Sequence, residues 1–239
     1  MATYFISDLH LAANAPQISE RFFQFIQHEI NDANTLYILG DLFEYWVGDD
    51  AAKTVGMQPV ISALQELTTK GVKGFFIAGN RDFLVGDQFS AETGFTVLKD
   101  ETVVDLYGQE TLLLHGDSLC IDDVAHQQFR SQMMTNPEWH QMALSKSIAE
   151  RIEIAKQMRG LSAEHKMNLS DAIMDVNDSA VVSLMEDRNI THMIHGHTHR
   201  PNIHQHKTHN GLSERIVLGD WYHQQSYLRV DEQGSSLTH

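Results

Sequence analysis

Six short apolar runs punctuate the chain, and each stops at a Gly, Asp, Asn or His. They are TYFISDLH (3–10), TLYILGDL (35–42), GFFIAGNRD (74–82), TLLLHGD (111–117), THMIHGHTH (191–199) and RIVLGDW (215–221). Continuous apolar runs of this length suit strands buried on both faces, although periodicity alone does not separate them from buried helix fragments. Between the first two runs, SERFFQFIQHEI (19–30) clusters Phe22, Phe23, Phe25, Ile26 and Ile30 at helical spacing. Between the second and third, VISALQELTTKG (60–71) lines up Ile61, Leu64 and Leu67, with Gly71 placed to end the helix. Strand and helix therefore alternate, the pattern of an α/β sheet.

The rhythm breaks in the middle. From Asp122 to about Asp187 the text is rich in Met, Gln, Ala and charge, and Pro137 is its only proline. No β-branched run of strand length occurs there, so the reading is a helical insertion between the HGD and HGHTH runs. No internal repeat or low-complexity linker divides the chain, and residues 1–239 are expected to form one domain with a helical cap insertion at about 122–187.

Composition narrows the partners. The net charge of −15 opposes broad binding to the phosphate backbone of duplex nucleic acid, so no nucleic-acid partner is expected. A lone cysteine, Cys120, excludes an internal disulfide framework and reads as a packed small hydrophobe. The opening MATYFISDLH lacks the basic and apolar regions of a signal peptide, which gives the expectation of a cytosolic chain. No window approaches the ~20 apolar residues of a membrane span, so any membrane role is expected to be peripheral.

Chemistry gathers where the runs end. In open α/β sheets ligands bind beyond the carboxyl ends of the strands, which here carry Asp8, His10, Asp41, Asn80, His115, His197 and His199. Two carboxylates, one amide and four imidazoles exceed one tetrahedral zinc site but suit two ions bridged by Asp41. In Asp8-Leu9-His10 and His197-Thr198-His199, side chains at i and i+2 would share one face of extended chain, so each pair is expected to grip metal from one side. Arg81 in GNRD cannot give up its proton, so it would stabilise charge rather than act as a general acid. Such a site suits a leaving group that departs without a proton, a phosphoanhydride rather than an alkyl phosphoester.

The blocks D-x-H, G-D, G-N-R-D, H-G-D and G-H-T-H, in that order, resemble the calcineurin-like metallophosphoesterase superfamily. SDLHL (7–11), LYILGDLFEYWVGDD (36–50), GNRDFLVG (79–86), HGDSLCIDD (115–123), IMDVN (173–177) and IHGHTHRP (194–201) are similar to the UDP-2,3-diacylglucosamine pyrophosphatases of bacterial lipid A synthesis, over nearly the full length. The resemblance implies a four-layer αββα sandwich with a helical cap. It implies two Mn2+ ions, one held by Asp8, His10, Asp41 and His199, the other by Asp41, Asn80, His115 and His197. The ligand types alone leave Mn, Fe, Zn and Mg open. The implied reaction is attack of water on the α-phosphorus of UDP-2,3-diacylglucosamine, releasing UMP and 2,3-diacylglucosamine 1-phosphate, with Asn80 and Arg81 as catalytic residues.

The resemblance also assigns the substrate's acyl chains to the cap. There Met133, Met134, Trp139, Met142, Leu144, Ile148, Ile152 and Met158 are apolar, and Lys146, Arg151, Lys156 and Arg159 are basic. Ordinary packing against the sheet is the competing reading of that apolar stripe. Flexible Met side chains suit lipid tails, and local basic charge favours an anionic membrane surface. Peripheral attachment at the cytoplasmic side of the bacterial inner membrane is the implied location, with no obligate protein partner. Implied substrate contacts are Asn80, Arg81, Asp123, Ser162, Lys166 and His197. Past Ser162 the similarity weakens: Lys166 stands where relatives often have Asn or Thr, and Leu169 where they have Lys. Lys166 then either supplies that cation from one turn away or lies on a solvated face.

The remaining polar residues read as ordinary. His195, His204, His206, His209 and His223 are taken as surface or turn residues, and Asp220 and Trp221 as the close of a final strand. Two other functions stay open: a dinuclear phosphodiesterase or phosphatase for another phosphoester, and a non-catalytic scaffold of the same fold.

Overall fold

The computed structural model describes residues 1–167, 173 and 175–239, with the backbone alone for 163–167. All six apolar runs form strands. β1 (Ala2–Ile6), β2 (Ala33–Leu39), β3 (Lys73–Ile77) and β4 (Thr96–Leu98) run parallel, and β10 (Tyr227–Asp231) and β11 (Gly234–Thr238) extend the sheet antiparallel in the order β11-β10-β1-β2-β3-β4. A second sheet has the order β5-β6-β7-β9-β8, built from β5 (Thr102–Leu106), β6 (Gln109–Leu113), β7 (His192–His195), β8 (Asn202–Thr208) and β9 (Gly211–Val217). Its β6, β7 and β9 are parallel, with antiparallel strands at both edges.

Alternation along each strand sends side chains into two different cores, which explains why the runs lack polar positions. Between the sheets lie Phe5, Tyr37, Leu39, Ile77, Leu113, Ile194 and Ile216, with Phe5, Tyr37 and Phe75 stacked at centroid spacings of 4.9 and 4.8 Å. On the outer face of the first sheet, Tyr4, Ile6, Leu36, Ile38 and Phe76 meet α1 (Pro16–Gln24), α2 (Gln58–Thr69) and α3 (Asp87–Thr93). A ring as fully buried as Phe22 contributes about 1.5–3 kcal/mol by leaving water. The outer face of the second sheet, Leu112, Leu114 and Met193, packs on Val181 and Met185 of α7 (Asp178–Asp187). The layers are thus helix, sheet, sheet, helix: the αββα sandwich.

Among the described residues four α-helices follow β6. Asp123 caps α4 (Val124–Phe129) by accepting from the His126 amide, and Asn136 caps α5 (Pro137–Leu144). Ser147 and Glu150 form a reciprocal capping box at the start of α6 (Ile148–Met167). α7, within the 122–187 span, is a layer of the sandwich and not part of a cap. Arginine side chains tie the segment 124–162 to the sandwich. Arg130 pairs with Asp100 and Asp117, while Arg151, 5 % exposed, donates to the Val47 carbonyl at 2.6 Å and to Asp50.

Two expectations are corrected. Asp220 and Trp221 do not close a final strand: they follow β9, which lies inside the second sheet, and Trp221 is buried in the outer core of the first. His195 is no surface residue. It is fully buried at the end of β7, donating from Nδ1 to the Gly196 carbonyl and accepting from the buried Arg215, which also donates to His206 on edge strand β8.

Candidate metal centre and active site

The loops that follow β1, β2, β3, β6 and β7 are sewn to one another at one edge of the sandwich. The Asp8 amide donates to the Gly40 carbonyl, His10 to Asp41 and Gly196 to His115. Asp82 of GNRD, fully buried, accepts from the amides of Gly79, Leu42, Asp41 and Phe43 at 2.7–3.3 Å and so ties the second and third loops together. Two glycines permit this crowding. Gly40 has φ +87°, and a Cβ on it would stand 2.5 Å from His115 Nδ1; a Cβ on Gly196 would stand 2.2 Å from Ser7 Oγ and 2.3 Å from Asp8 Oδ2.

All seven ligand-type residues converge, in two groups. In one, His199 Nε2 lies 3.3 Å from both His10 Nε2 and Asp8 Oδ1. In the other, Asn80 Oδ1 lies 3.1 Å from His115 Nε2 and from His197 Nδ1, and the two imidazoles are 3.3 Å apart. Asp41 stands between, with Oδ2 4.0 Å from His10 Nδ1 and Oδ1 3.7 Å from His115 Nε2. Asp8 and Asp41 are also grouped with His115 within 4.8 Å.

The backbone does not bring the pairs together by strand alternation. β1 and β7 end before the pairs begin, and Asp8, His10, Asp41, His197 and His199 all have φ between +52° and +67°, a region that side chains rarely adopt. Left-handed residues on either side of Thr198 turn His197 toward Asn80 and His199 toward Asp8, so that pair serves two clusters rather than gripping one ion. Strain at five of seven positions marks a functional site.

The electrostatics fit cations. Asp8 Oδ1 and His10 Nδ1 are buried without a hydrogen-bond partner among the described residues. Burial would raise the Asp8 carboxyl, but the neighbouring His199, His115 and His10 outweigh it and hold it far below the usual range. Burial depresses His10 to about 4 and His197 well below its ordinary value, keeping both imidazoles neutral. At His115 burial is outweighed by Asp41, Asp8 and Asp117, which push it up to about 9; Asp8 likewise raises His199 against its burial. Nitrogen and oxygen donors aimed at shared points, with partnerless atoms in a buried cradle, fit two divalent ions.

The supporting roles of two residues were not foreseen. Glu44 Oε2 lies 3.5 Å from His10 Nδ1, and Asp220 Oδ2 lies 3.6 Å from His199 Nδ1. Each places a carboxylate behind an imidazole whose Nε2 faces the cluster, which fixes the ring and raises its basicity. His115 is oriented in the same way, donating from Nδ1 to the Leu39 carbonyl at 2.8 Å. Glu44 and Asp220 lie in quoted motifs, but nothing in the linear text distinguishes them from turn carboxylates.

Arg81 reaches across the second cluster, Nε 3.9 Å from Asp41 Oδ2 and without a hydrogen-bond partner among the described residues. Beside it opens a cavity of about 320 Å³ under α4–α6. Asn80, Arg81, Asp123 and Ser162 line it, with Phe83, Phe129, Met133, Trp139, Ile154 and Met158 as its apolar wall. Of the expected apolar stripe, Met134 is instead buried and Met142 and Leu144 are exposed. The side chain of Lys166, and Leu169 altogether, lie outside the described residues. The four cap cations do not form a free basic patch: Arg151 is paired with Asp50 and Arg159 with Glu44.

The calcineurin-like phosphoesterase family model matches residues 1–201. The UDP-2,3-diacylglucosamine hydrolase of Xanthomonas axonopodis pv. citri is 44 % identical over 99 % of this chain and 98 % of its own, and that of Vibrio vulnificus is 46 % identical over 99 % and 97 %. The chain belongs to the calcineurin-like phosphoesterase family, in its UDP-2,3-diacylglucosamine hydrolase branch. A solved dimetal phosphatase from Danio rerio matches the fold with a TM-score of 0.52 at 12 % identity, covering 95 % of this chain and 92 % of that one. Family membership makes the protein a metal-dependent hydrolase, and the family's dinuclear site has its candidate ligands here. No helix among the described residues is long and apolar enough to cross a membrane.

Proposed function

We propose that this protein hydrolyses the pyrophosphate bond of UDP-2,3-diacylglucosamine, with water attacking the α-phosphorus and UMP and 2,3-diacylglucosamine 1-phosphate as products. The observation that carries the reading is the junction of a charged site with an apolar cavity: Asn80 and Arg81 stand both in the second cluster's surroundings and in the wall that Phe83, Trp139 and Met158 complete. A lipid with a phosphorylated head needs both surfaces in contact.

Asp8, His10, Asp41 and His199 would hold one manganese ion, and Asp41, Asn80, His115 and His197 the other. Such a pair supplies a water of lowered pKa and offsets charge on the phosphoryl oxygens. The chain's own residues do the rest. Arg81, permanently cationic, faces the non-bridging oxygens and the departing phosphate, which needs no proton because its second pKa is near 6. Asp123 and Ser162 orient the sugar head, and the apolar wall keeps water from the acyl side. Asp123 already spends one oxygen on the α4 cap, so its substrate contact comes with a fixed rotamer. Lys166 would add a cation at the head group.

The protein would attach peripherally at the cytoplasmic side of the inner membrane, where its lipid substrate lies. Met142, Leu144 and Leu161, 44–67 % exposed, support attachment through the cap, beside the half-buried Lys146 and the exposed Lys156. Retention on floated vesicles containing anionic phosphatidylglycerol at low salt is expected, and complete failure to float contradicts it. Phosphorus NMR in ¹⁸O-water tests the reaction, and label in UMP is expected. Label confined to the lipid phosphate, or faster turnover of bis-p-nitrophenyl phosphate than of the UDP-lipid, would overturn the proposal.

A further inference from the structure

Behind the Glu44–Arg159 ion pair lies a second cavity of about 510 Å³, separate from the one under the apolar cap wall. The two share Glu44, Tyr45 and Arg159 as a partition. They differ in which side of the metal centre they open on. Asn80, of the His115–His197 group, lines the first cavity, whereas His10, of the Asp8–His199 group, lines the second. A diphosphate laid along the two groups therefore has one substituent directed into each cavity.

We infer that the second cavity is the subsite for the nucleoside monophosphate half of the substrate, an inference that rests on the pyrophosphatase reading and extends it. Its wall sets Leu11, Ala13, Ile18, Val55 and Met57 beside aromatic and polar groups that suit a pyrimidine nucleotide. Tyr222 lies parallel to the His10 ring at 5.5 Å, 43 % exposed, with a face available for stacking beside the phosphate position. Tyr45 offers a second ring, Asn14 an amide that can both donate to and accept from a uracil edge, and Lys156 supplies positive charge, that of Arg159 being offset by Glu44. The volume falls within the range of about 300–1,000 Å³ usual for small-ligand sites. The partition also explains why Arg159 of the cap is tied to Glu44, which backs His10: the cap and the first metal group meet at the wall between the two substrate halves.

The test is a crossed pair of blocked cavities, read by calorimetric binding to the manganese-loaded protein. Ala12→Phe and Lys156→Ala alter the nucleotide side, and Ala155→Phe narrows the lipid side. Their ligands are UMP and 2,3-diacylglucosamine 1-phosphate. Ala12→Phe and Lys156→Ala are each expected to weaken UMP at least fivefold and to leave the lipid phosphate within twofold, while Ala155→Phe does the reverse. Lys156→Ala, at an exposed helical position, keeps the test valid if Ala12→Phe fails to fold. UMP affinity unchanged in the nucleotide-side variants, UMP lost on narrowing the lipid side, or no UMP binding by the wild type at millimolar concentration would each overturn the assignment. Turnover of UDP-2,3-diacylglucosamine with misplaced UMP binding would sink the subsite alone; no turnover of it would sink the reaction itself.

Discussion

Replacing Arg81 by alanine separates the roles of charge and of metal at this site. The guanidinium Nε stands 3.9 Å from Asp41 Oδ2, which at an effective dielectric of about 20 corresponds to at most about 4 kcal/mol of attraction. That attraction favours the Asp41 carboxylate, but the same positive charge opposes any cation held by Asp41. Its removal should therefore leave metal affinity equal or tighter. The Arg81 amide, which donates to Asp41 Oδ1 at 2.8 Å, survives the substitution and keeps the loop in place. What disappears is a cationic donor lining the cavity, whose Nε lacks a hydrogen-bond partner among the described residues. Loss of one preorganised donor to a developing oxyanion lowers kcat by roughly 10²–10³, or about 2.7–4 kcal/mol of transition-state stabilisation. Steady-state hydrolysis of UDP-2,3-diacylglucosamine, with metal content measured on the same samples, reads both quantities. Unchanged kcat would remove Arg81 from the chemistry, and loss of metal from the variant would refute the electrostatic argument.

Other perturbations test the scaffold around it. Gly196→Ala would drive a methyl into Ser7 Oγ and Asp8 Oδ2, so a lower melting temperature and weakened metal binding are expected; wild-type values for both would show that the loop yields freely. Arg151→Ala removes the cap's buried anchor, and because its partner Asp50 is half exposed the cost should be about 1–2 kcal/mol, seen as faster hydrogen exchange in α6 and a raised KM with kcat little changed. Unaltered exchange would mean that the cap is held elsewhere. Chelation should abolish activity reversibly and lower thermal stability, since ion at 100 times its Kd contributes about 2.7 kcal/mol. Metal affinity should also fall as pH drops through about 9, because the His115 imidazole, pushed up by Asp41, Asp8 and Asp117, takes up there a proton that a bound ion must displace.

Much of this architecture is legible in the linear text because the two sheets bury both faces of their central strands. That produced six uninterrupted apolar runs, and the polar residue after each run marked the site. β4, β5, β8, β10 and β11 left weaker traces. In β8, NIHQHKT, half-buried His204, His206 and Thr208 alternate with exposed neighbours, a period-two signal hidden because the inward positions are polar and the strand's one apolar residue, Ile203, faces outward. β5 and β6 join through Tyr107 and Gly108, both with positive φ, a two-residue hairpin that YG does not announce as NG would. The convergence of seven ligand types follows from topology, but its local means do not. Left-handed φ at Asp8 or His199 is imposed by loops sewn to distant loops, and the roles of Glu44, Asp82 and Asp220 depend on His10, Leu42 and His199, which lie 34, 40 and 21 residues away in sequence. His195 was misjudged because its polarity suggests a surface, whereas Arg215 and the Gly196 carbonyl satisfy it in the interior.

The account stands on two cation sites that share Asp41, and anomalous diffraction from crystals grown with manganese reads them directly. Two peaks are expected about 3.5–4 Å apart, one beside Asp8, His10 and His199 and the other beside Asn80, His115 and His197, with the Asp41 carboxylate between them. A single peak, or a pair that leaves Asp41 outside the coordination of either ion, would contradict it.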